Sequence, residues 1–176
     1  MTEYQNLFFN AVKEILNSNN ETFPSENIRF AYQEMGQPFF NRGETYVYID
    51  LFETDFDTNR HIDFFYNVVE DNLIESRTSM KRIICRFILY GDNALKIANK
   101  IRLGLYDDSI RRTFKKESLF LIPDIPSPML TKELINNTWF RRVDMDVNYN
   151  GLCDIRSENQ GGIDQNTIQI NINGGV

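Results

Sequence analysis

The sequence predicts an α+β fold in which an antiparallel or mixed β-sheet packs against two to three helices. Residues 80–90 and 138–150 alternate apolar and polar side chains with a period of two, so each predicts a central strand with one face toward a core. After the first strand, apolar residues recur at spacings of three and four, which predicts a helix lying back over the sheet. At 176 residues the chain can bury a core of its own, and we expect one domain.

An amphipathic N-terminal helix is predicted within residues 1–20. Thr2 and Gln5 fit a capping box, apolar residues then recur from Leu7 to Leu16, and the asparagine-rich residues 17–20 end the helix. The α+β core is expected to span residues 28–150. Its first part contains three predicted strands separated by polar loops, and these strands cover residues 28–33, 44–53 and 62–69. Residues 75–79 are predicted to connect the third of them to the strand at residues 80–90.

The central strand is expected to turn sharply into its helix. Gly91 permits the turn, and Asp92 can cap the first amides of the helix. The inward stripe of this helix is predicted to comprise Leu95, Ala98, Ile101 and Leu105. A second short helix begins at Asp108 and Ser109, and we expect Ile110 and Phe114 to face inward.

The remainder of the core alternates strands with a stiff link. Residues 119–122 predict a short apolar strand, and the prolines at 123, 126 and 128 exclude a central strand directly after it. In the strand at residues 138–150, one face is predicted to point mostly into the core, and it comprises Trp139, Arg141, Val143, Met145, Val147 and Tyr149.

The last part of the chain, residues 151–176, is predicted to form a C-terminal arm or strand. Gly161 and Gly162 resemble a flexible joint, and Ile168, Ile170 and Ile172 then alternate with polar residues. This strand can complete the sheet of its own subunit or pair with the edge of a neighbour, and the sequence leaves both arrangements open.

Composition limits the class of protein. The chain is 41% apolar with 14 Phe and 8 Tyr, which argues against disorder, and no apolar run reaches the ~18 residues needed to cross a bilayer. The N-terminus lacks the basic region of a secretory signal, and two cysteines are too few for a disulfide framework. We expect synthesis in a reducing cytoplasm and no membrane partner.

Charge is distributed unevenly along the chain, whose net charge is −6. Residues 44–75 hold nine acids and one base, whereas residues 96–116 hold seven bases and two acids. Such an asymmetry suits a protein that docks onto copies of itself, because complementary potentials steer association. The candidate interface residues are Arg111, Arg112, Lys115, Lys116, Asp55 and Asp57, together with Ile168, Ile170 and Ile172. Two solvated faces, or a DNA-binding surface on the bases, are the alternatives.

The sequence offers little on which to build catalysis. His61 is the only histidine, and the acids from Asp50 to Asp57 lack the spacing of a calcium loop. No phosphate-binding loop, dinucleotide fingerprint, nucleophile elbow or C-x-x-C pair occurs. We therefore expect a protein that is not an enzyme and uses no cofactor or metal.

Three segments resemble the neck terminator family of tailed bacteriophages. They are the strand-turn-helix RFILYGDNALKIANKI, the proline-containing link LIPDIPSPMLTKELINNTW and the strand WFRRVDMDVNYN. The resemblance covers residues 46–172, and its most informative residues are Tyr90, Gly91, Ala94, Arg141, Arg142, Val143, Asp144 and Tyr149.

The resemblance implies a non-enzymatic virion protein of the phage neck, assembled in the host cytoplasm. Tail terminators of this kind generally form hexameric rings that cap the tail tube and present a surface to the head-side connector. Genomic DNA would pass through the lumen without specific binding. The alternatives are a head-completion or connector-adaptor protein, which would favour a twelve-fold ring, and a nucleic-acid-binding module.

Overall fold

The computed structural model describes most of the chain up to Arg156. The described residues are 2–18, 22–32, 41, 43–69, 72–135 and 137–156. The predicted terminal strand with Ile168, Ile170 and Ile172 lies outside them.

Three α-helices and seven strands are formed by the described residues. The helices are α1 (Thr2–Leu16), α2 (Ala94–Gly104) and α3 (Asp108–Lys116). The strands are β1 (Ile28–Phe30), β2 (Tyr46–Thr54), β3 (Ile62–Val69), β4 (Asn72–Tyr90), β5 (Leu119–Leu121), β6 (Met129–Ile135) and β7 (Thr138–Arg156). All strands belong to one mixed sheet with the helices against one of its faces, so the predicted α+β class is confirmed.

The sheet is built around two long antiparallel strands, β4 and β7, of 19 residues each. They pair from Ser76 opposite Arg156 to Tyr90 opposite Arg142. Along the outer edge of β4, β3 and β2 lie end to end, and β6 and β5 do the same along the outer edge of β7. The parallel strand β1 extends the β2 edge.

The two halves of the sheet repeat one arrangement of strands. In each half a two-residue connection joins a short strand to the first part of a long strand, giving the hairpins β3–β4 and β6–β7. An earlier strand, β2 or β5, pairs with the remainder of the long strand. The long strands begin 66 residues apart, at Asn72 and Thr138, and also end 66 residues apart. An approximate two-fold axis between Ile83 and Tyr149 therefore relates the halves, and the hairpins project from diagonally opposite corners.

Every second residue of the central strands faces the helices, as the alternation predicts. The buried residues on this face of β4 and β7 are Ile83, Cys85, Phe87, Leu89, Val143, Met145, Val147 and Tyr149. Phe8 of α1 and Phe114 of α3 pack on Tyr149, with ring centroids 5.0 and 5.3 Å from it. Each such large apolar side chain contributes roughly 1.5–3 kcal/mol of burial free energy, which holds the helices on the sheet.

The turn from β4 into α2 depends on Gly91. Its φ of +113° lies in the left-handed region, and a Cβ there would come within 2.4 Å of the carbonyl oxygen of Glu44. The predicted turn is therefore confirmed. The helix cap differs from the prediction, because the N-cap is Asn93 rather than Asp92 and makes no side-chain capping bond.

Several element boundaries differ from the sequence-based predictions. Residues 75–79, predicted as a connection, are part of β4, and β7 continues past residue 150 to Arg156. Strand β6 was not predicted, because its residues were assigned to the proline-containing link. In α2, Ala94 rather than Leu95 begins the buried stripe, and Leu95 is exposed.

Candidate assembly surfaces

The described residues show no cluster of side chains suited to metal binding or acid–base catalysis. His61 is exposed just before β3, and no group of three potential metal ligands is found in the described part of the chain. Burial raises the pKa of the Cys85 thiol, which keeps it protonated. A hydrogen bond of 2.8 Å from the Tyr46 hydroxyl lowers the pKa of Glu44, so this exposed carboxylate is an acceptor rather than a proton donor.

The outer side of α3 forms a basic face, defined here as Arg111, Arg112, Lys115 and Lys116. All four side chains are exposed, while Ile110 and Phe114 anchor the opposite side of the helix in the core. Arg112 is paired with Asp108 at 2.5 Å within the helix. Of the four bases, Arg111, Lys115 and Lys116 are therefore the most available for a partner.

The acidic loop, defined here as residues 55–60, follows β2. Arg60 donates a hydrogen bond of 2.7 Å to Asp55, which lowers the pKa of that carboxyl. Asp57 begins a short 3-10 turn, Asp57–Arg60, and is exposed. Exposed ion pairs of this kind contribute little to stability, so these acids are not needed to hold the fold.

The acidic loop and the basic face lie at opposite edges of the sheet. The loop leaves the end of β2, whereas α3 packs on β7 and leads directly into β5. Between β2 and β5 lie three strand-to-strand steps, or roughly 14 Å at the usual spacing of about 4.8 Å. The fold therefore does not bring the predicted acids and bases together within one subunit.

Two β-hairpins carry exposed apolar side chains beyond the helices. We call residues 62–79 the Phe64 arm and residues 129–144 the Trp139 arm. The large exposed apolar residues on these arms are Ile62, Phe64, Phe65, Tyr66, Met129, Leu130, Leu134 and Trp139. Trp139, which was predicted to lie on the core face, is 67% exposed. It does share a face with Val143, but the helices do not reach this end of β7.

Other bases of the predicted basic segment hold the subunit together. Lys100 donates hydrogen bonds to the carbonyl oxygens of Leu16 and Ser18, which ties α2 to the end of α1. Arg102 donates two hydrogen bonds, of 3.1 and 2.9 Å, to the carbonyl oxygen of Ile125. These two bases are structural, which weakens the hypothesis of a continuous phosphate-binding path.

The sheet face away from the helices carries a network of charged pairs. Arg86 binds Asp146 through two hydrogen bonds of 2.8 and 2.9 Å, and it lies directly opposite Asp50 in β2. Nearby, Arg142 contacts Asp144 at 2.8 Å and Glu133 at 3.3 Å. These pairs cross-link β4 to β7 and β7 to β6, and bidentate geometry makes the Arg86 pair directional.

A mixed sheet with oppositely charged edges and projecting apolar arms is typical of a structural subunit that assembles with other protein chains. The chain belongs to the phage neck terminator protein family, whose model matches residues 7–175. No curated protein matches the chain. The predicted resemblance is thus confirmed, and the match extends beyond the predicted 46–172 into α1.

Membership in this family makes the protein a structural component of the phage neck and therefore of the virion. In the described part of the chain, none of the helices has the length and apolar character required to span a membrane.

Proposed function

We propose that the protein is a ring-forming tail terminator that caps the tail tube and joins it to the head-side connector. The observation that carries this proposal is the opposite charge of opposite edges, with the acidic loop beside β2 and the basic face beside β5. A contact between two different surfaces of one chain is heterologous and, when the rotation closes, generates a ring. Complementary potentials at these edges favour this contact over an edge meeting its own copy.

Six copies are the proposed number, because the resemblance to tail terminators implies a hexamer. The ring would stop polymerisation of tail-tube protein by covering its last layer, through shape and charge complementarity rather than a reaction. The net charge of −6 is consistent with DNA passing through the lumen without specific binding. A twelve-fold ring would instead favour the connector-adaptor alternative.

Exchanging the charges at the two edges tests the proposed contact. One variant carries Arg111→Glu and Lys115→Glu, a second carries Asp55→Lys and Asp57→Lys, and a third carries all four changes. We expect each pair alone to weaken assembly, because like charges then meet, and the fourfold variant to restore it. The mass of each protein is measured by light scattering over a concentration series, with and without tail-tube protein.

Lys13→Glu is the matched control, because it reverses an exposed base on α1 that belongs to neither the basic face nor the acidic loop. Wild-type protein that stays monomeric both alone and with tube protein would rule out the ring. A ring whose mass is the same in all variants would show that these charges are only solvated.

A further inference from the structure

The Trp139 arm carries an apolar row on the helix side of the sheet. In the register of the hairpin, Leu130 lies opposite Val143 and Leu134 lies opposite Trp139, and all four side chains share one face. Val143 is completely buried under the helices, whereas Leu130, Leu134 and Trp139 are more than half exposed. The row therefore continues the core outward past the point where the helices end. Exposed apolar surface of this kind marks an interaction site.

Two like charges sit within this row. Lys132 and Arg141 lie directly opposite each other, both exposed, on the same face as Trp139. Like charges directly opposite on neighbouring strands are destabilising, and neither base has an acidic partner in the described part of the chain. The acids of the arm, Glu133 and Asp144, lie on the other face. This face of the arm thus requires a partner that is both apolar and acidic.

The opposite edge of the same chain has this chemistry. Glu53 lies opposite Ile83 on the helix side, and the exposed Asp55 and Asp57 follow it in the acidic loop. Beside them, Ile62 and Phe64 are about half exposed. Ile62 and Phe64 lie opposite Ser79 and Arg77 of β4, which places both on the helix side of the sheet.

We propose that the Trp139 arm of one subunit binds the Ile62 and Phe64 edge of a second copy. Lys132 and Arg141 then face the acids of that edge, and one heterologous contact covers both apolar surfaces. Because the two surfaces lie at opposite edges of one sheet, the contact repeats from subunit to subunit. This inference rests on the proposed ring and adds the apolar contact that holds it together. Trp is the residue type most often dominant in an interface, so losing it should weaken association roughly 30-fold or more.

The test uses the fact that Trp139 is the only tryptophan of the chain. Its fluorescence is recorded while assembly is followed by light scattering. On ring formation we expect emission at shorter wavelength and less quenching by acrylamide. The variant Trp139→Glu should remain monomeric, whereas the control Leu103→Glu should form the ring, because Leu103 on α2 has the same 67% exposure but lies outside the contact.

Mixing two defective variants tests the direction of the contact. Phe64→Glu leaves the Trp139 arm intact, and Trp139→Glu leaves the edge with Ile62 and Phe64 intact. Each variant alone should be monomeric, whereas the mixture should form heterodimers that cannot extend, with the remaining tryptophan protected. Circular dichroism verifies that both variants are folded.

The outcomes separate this inference from the proposed function. A Trp139→Glu ring with wild-type mass overturns the inference and leaves the ring in place. A second outcome also overturns the inference: Trp139 stays exposed in the ring and becomes protected only when tube protein is added. The Trp139 arm would then bind tube protein rather than a second copy. Wild-type protein that is monomeric in every condition overturns both.

Discussion

Tyr90 lies in an environment that differs strongly from that of an exposed tyrosine. It is half-buried on the sheet face away from the helices, and its hydroxyl donates a close hydrogen bond to Glu133. Burial, and then the bond to Glu133, raise the pKa of Tyr90 well above 10.0. The neutral hydroxyl is thus preferred in the folded state.

This environment predicts how stability depends on alkaline pH. Above about pH 10 the unfolded chain loses the Tyr90 proton while the folded protein keeps it, so the free energy of unfolding must fall as pH rises. The variant Tyr90→Phe should show a shallower decrease between pH 9 and 11, measured by urea unfolding. Some decrease should persist, since burial also raises the pKa of Tyr149. Equal slopes for the two proteins would contradict the assignment.

Gly104 allows α1 and α2 to approach closely. A Cβ at this position would come within 2.5 Å of Cγ2 and 2.8 Å of Cγ1 of Ile15. Because Ile15 is buried and its β-branched side chain has few rotamers, we expect Gly104→Ala to destabilise the fold by about 1–3 kcal/mol despite the better helix propensity of alanine.

A double-mutant cycle with Ile15→Ala checks the origin of this loss. The cavity left by Ile15→Ala admits the new methyl group, so the double variant should be more stable than additivity predicts. Chemical unfolding of the four proteins gives the coupling free energy. Additive losses would mean that the methyl group is accommodated elsewhere.

At the scale of elements, the sequence predicted the strands that are rich in apolar and aromatic residues, including β3 on the exposed Phe64 arm. The alternation in residues 80–90 is clear because one face is buried, whereas residues 75–79 lie on the projecting arm, where the helices no longer cover the strand. All five of these residues are polar, so no period of two is visible and the segment was taken for a connection. Strand β6 was missed because its residues follow the three prolines directly and were assigned to the same extended link.

The exposed position of Trp139 had one signal in the sequence. Arg141 stands between Trp139 and Val143 in the row predicted to face the core, and a buried unpaired charge is costly. The row therefore had to leave the core near Arg141. The repeat of the two half-sheets had no such signal, because strand pairing depends on backbone hydrogen bonds and does not require similar side chains.

Deleting residues 164–176 tests the role proposed for the terminal isoleucines in contacts between subunits. The described strands and helices share a buried core made of residues from Phe8 to Tyr149. We expect the truncated chain to keep the thermal unfolding midpoint of the full-length protein but to assemble less strongly. A large decrease in the midpoint would show that the segment belongs to the sheet of its own subunit.

At the scale of the whole molecule, assembly depends on how the edges are arranged. The bases of α3 and the acids after β2 are separated by the width of the sheet, so they cannot neutralise each other within the subunit. They remain available to neighbouring copies, which is the condition for a heterologous ring.

The sequence by itself determined the fold class, the two central strands, the turn at Gly91 and the family, because each depends on local patterning or a short motif. Only the tertiary structure decided that the acids and bases lie on opposite edges, that Lys100 and Arg102 are internal ties, and that two hairpin arms project at diagonal corners. These properties depend on strand order and on where the helices end. Both are set by contacts between residues far apart in the chain, which periodicity does not record.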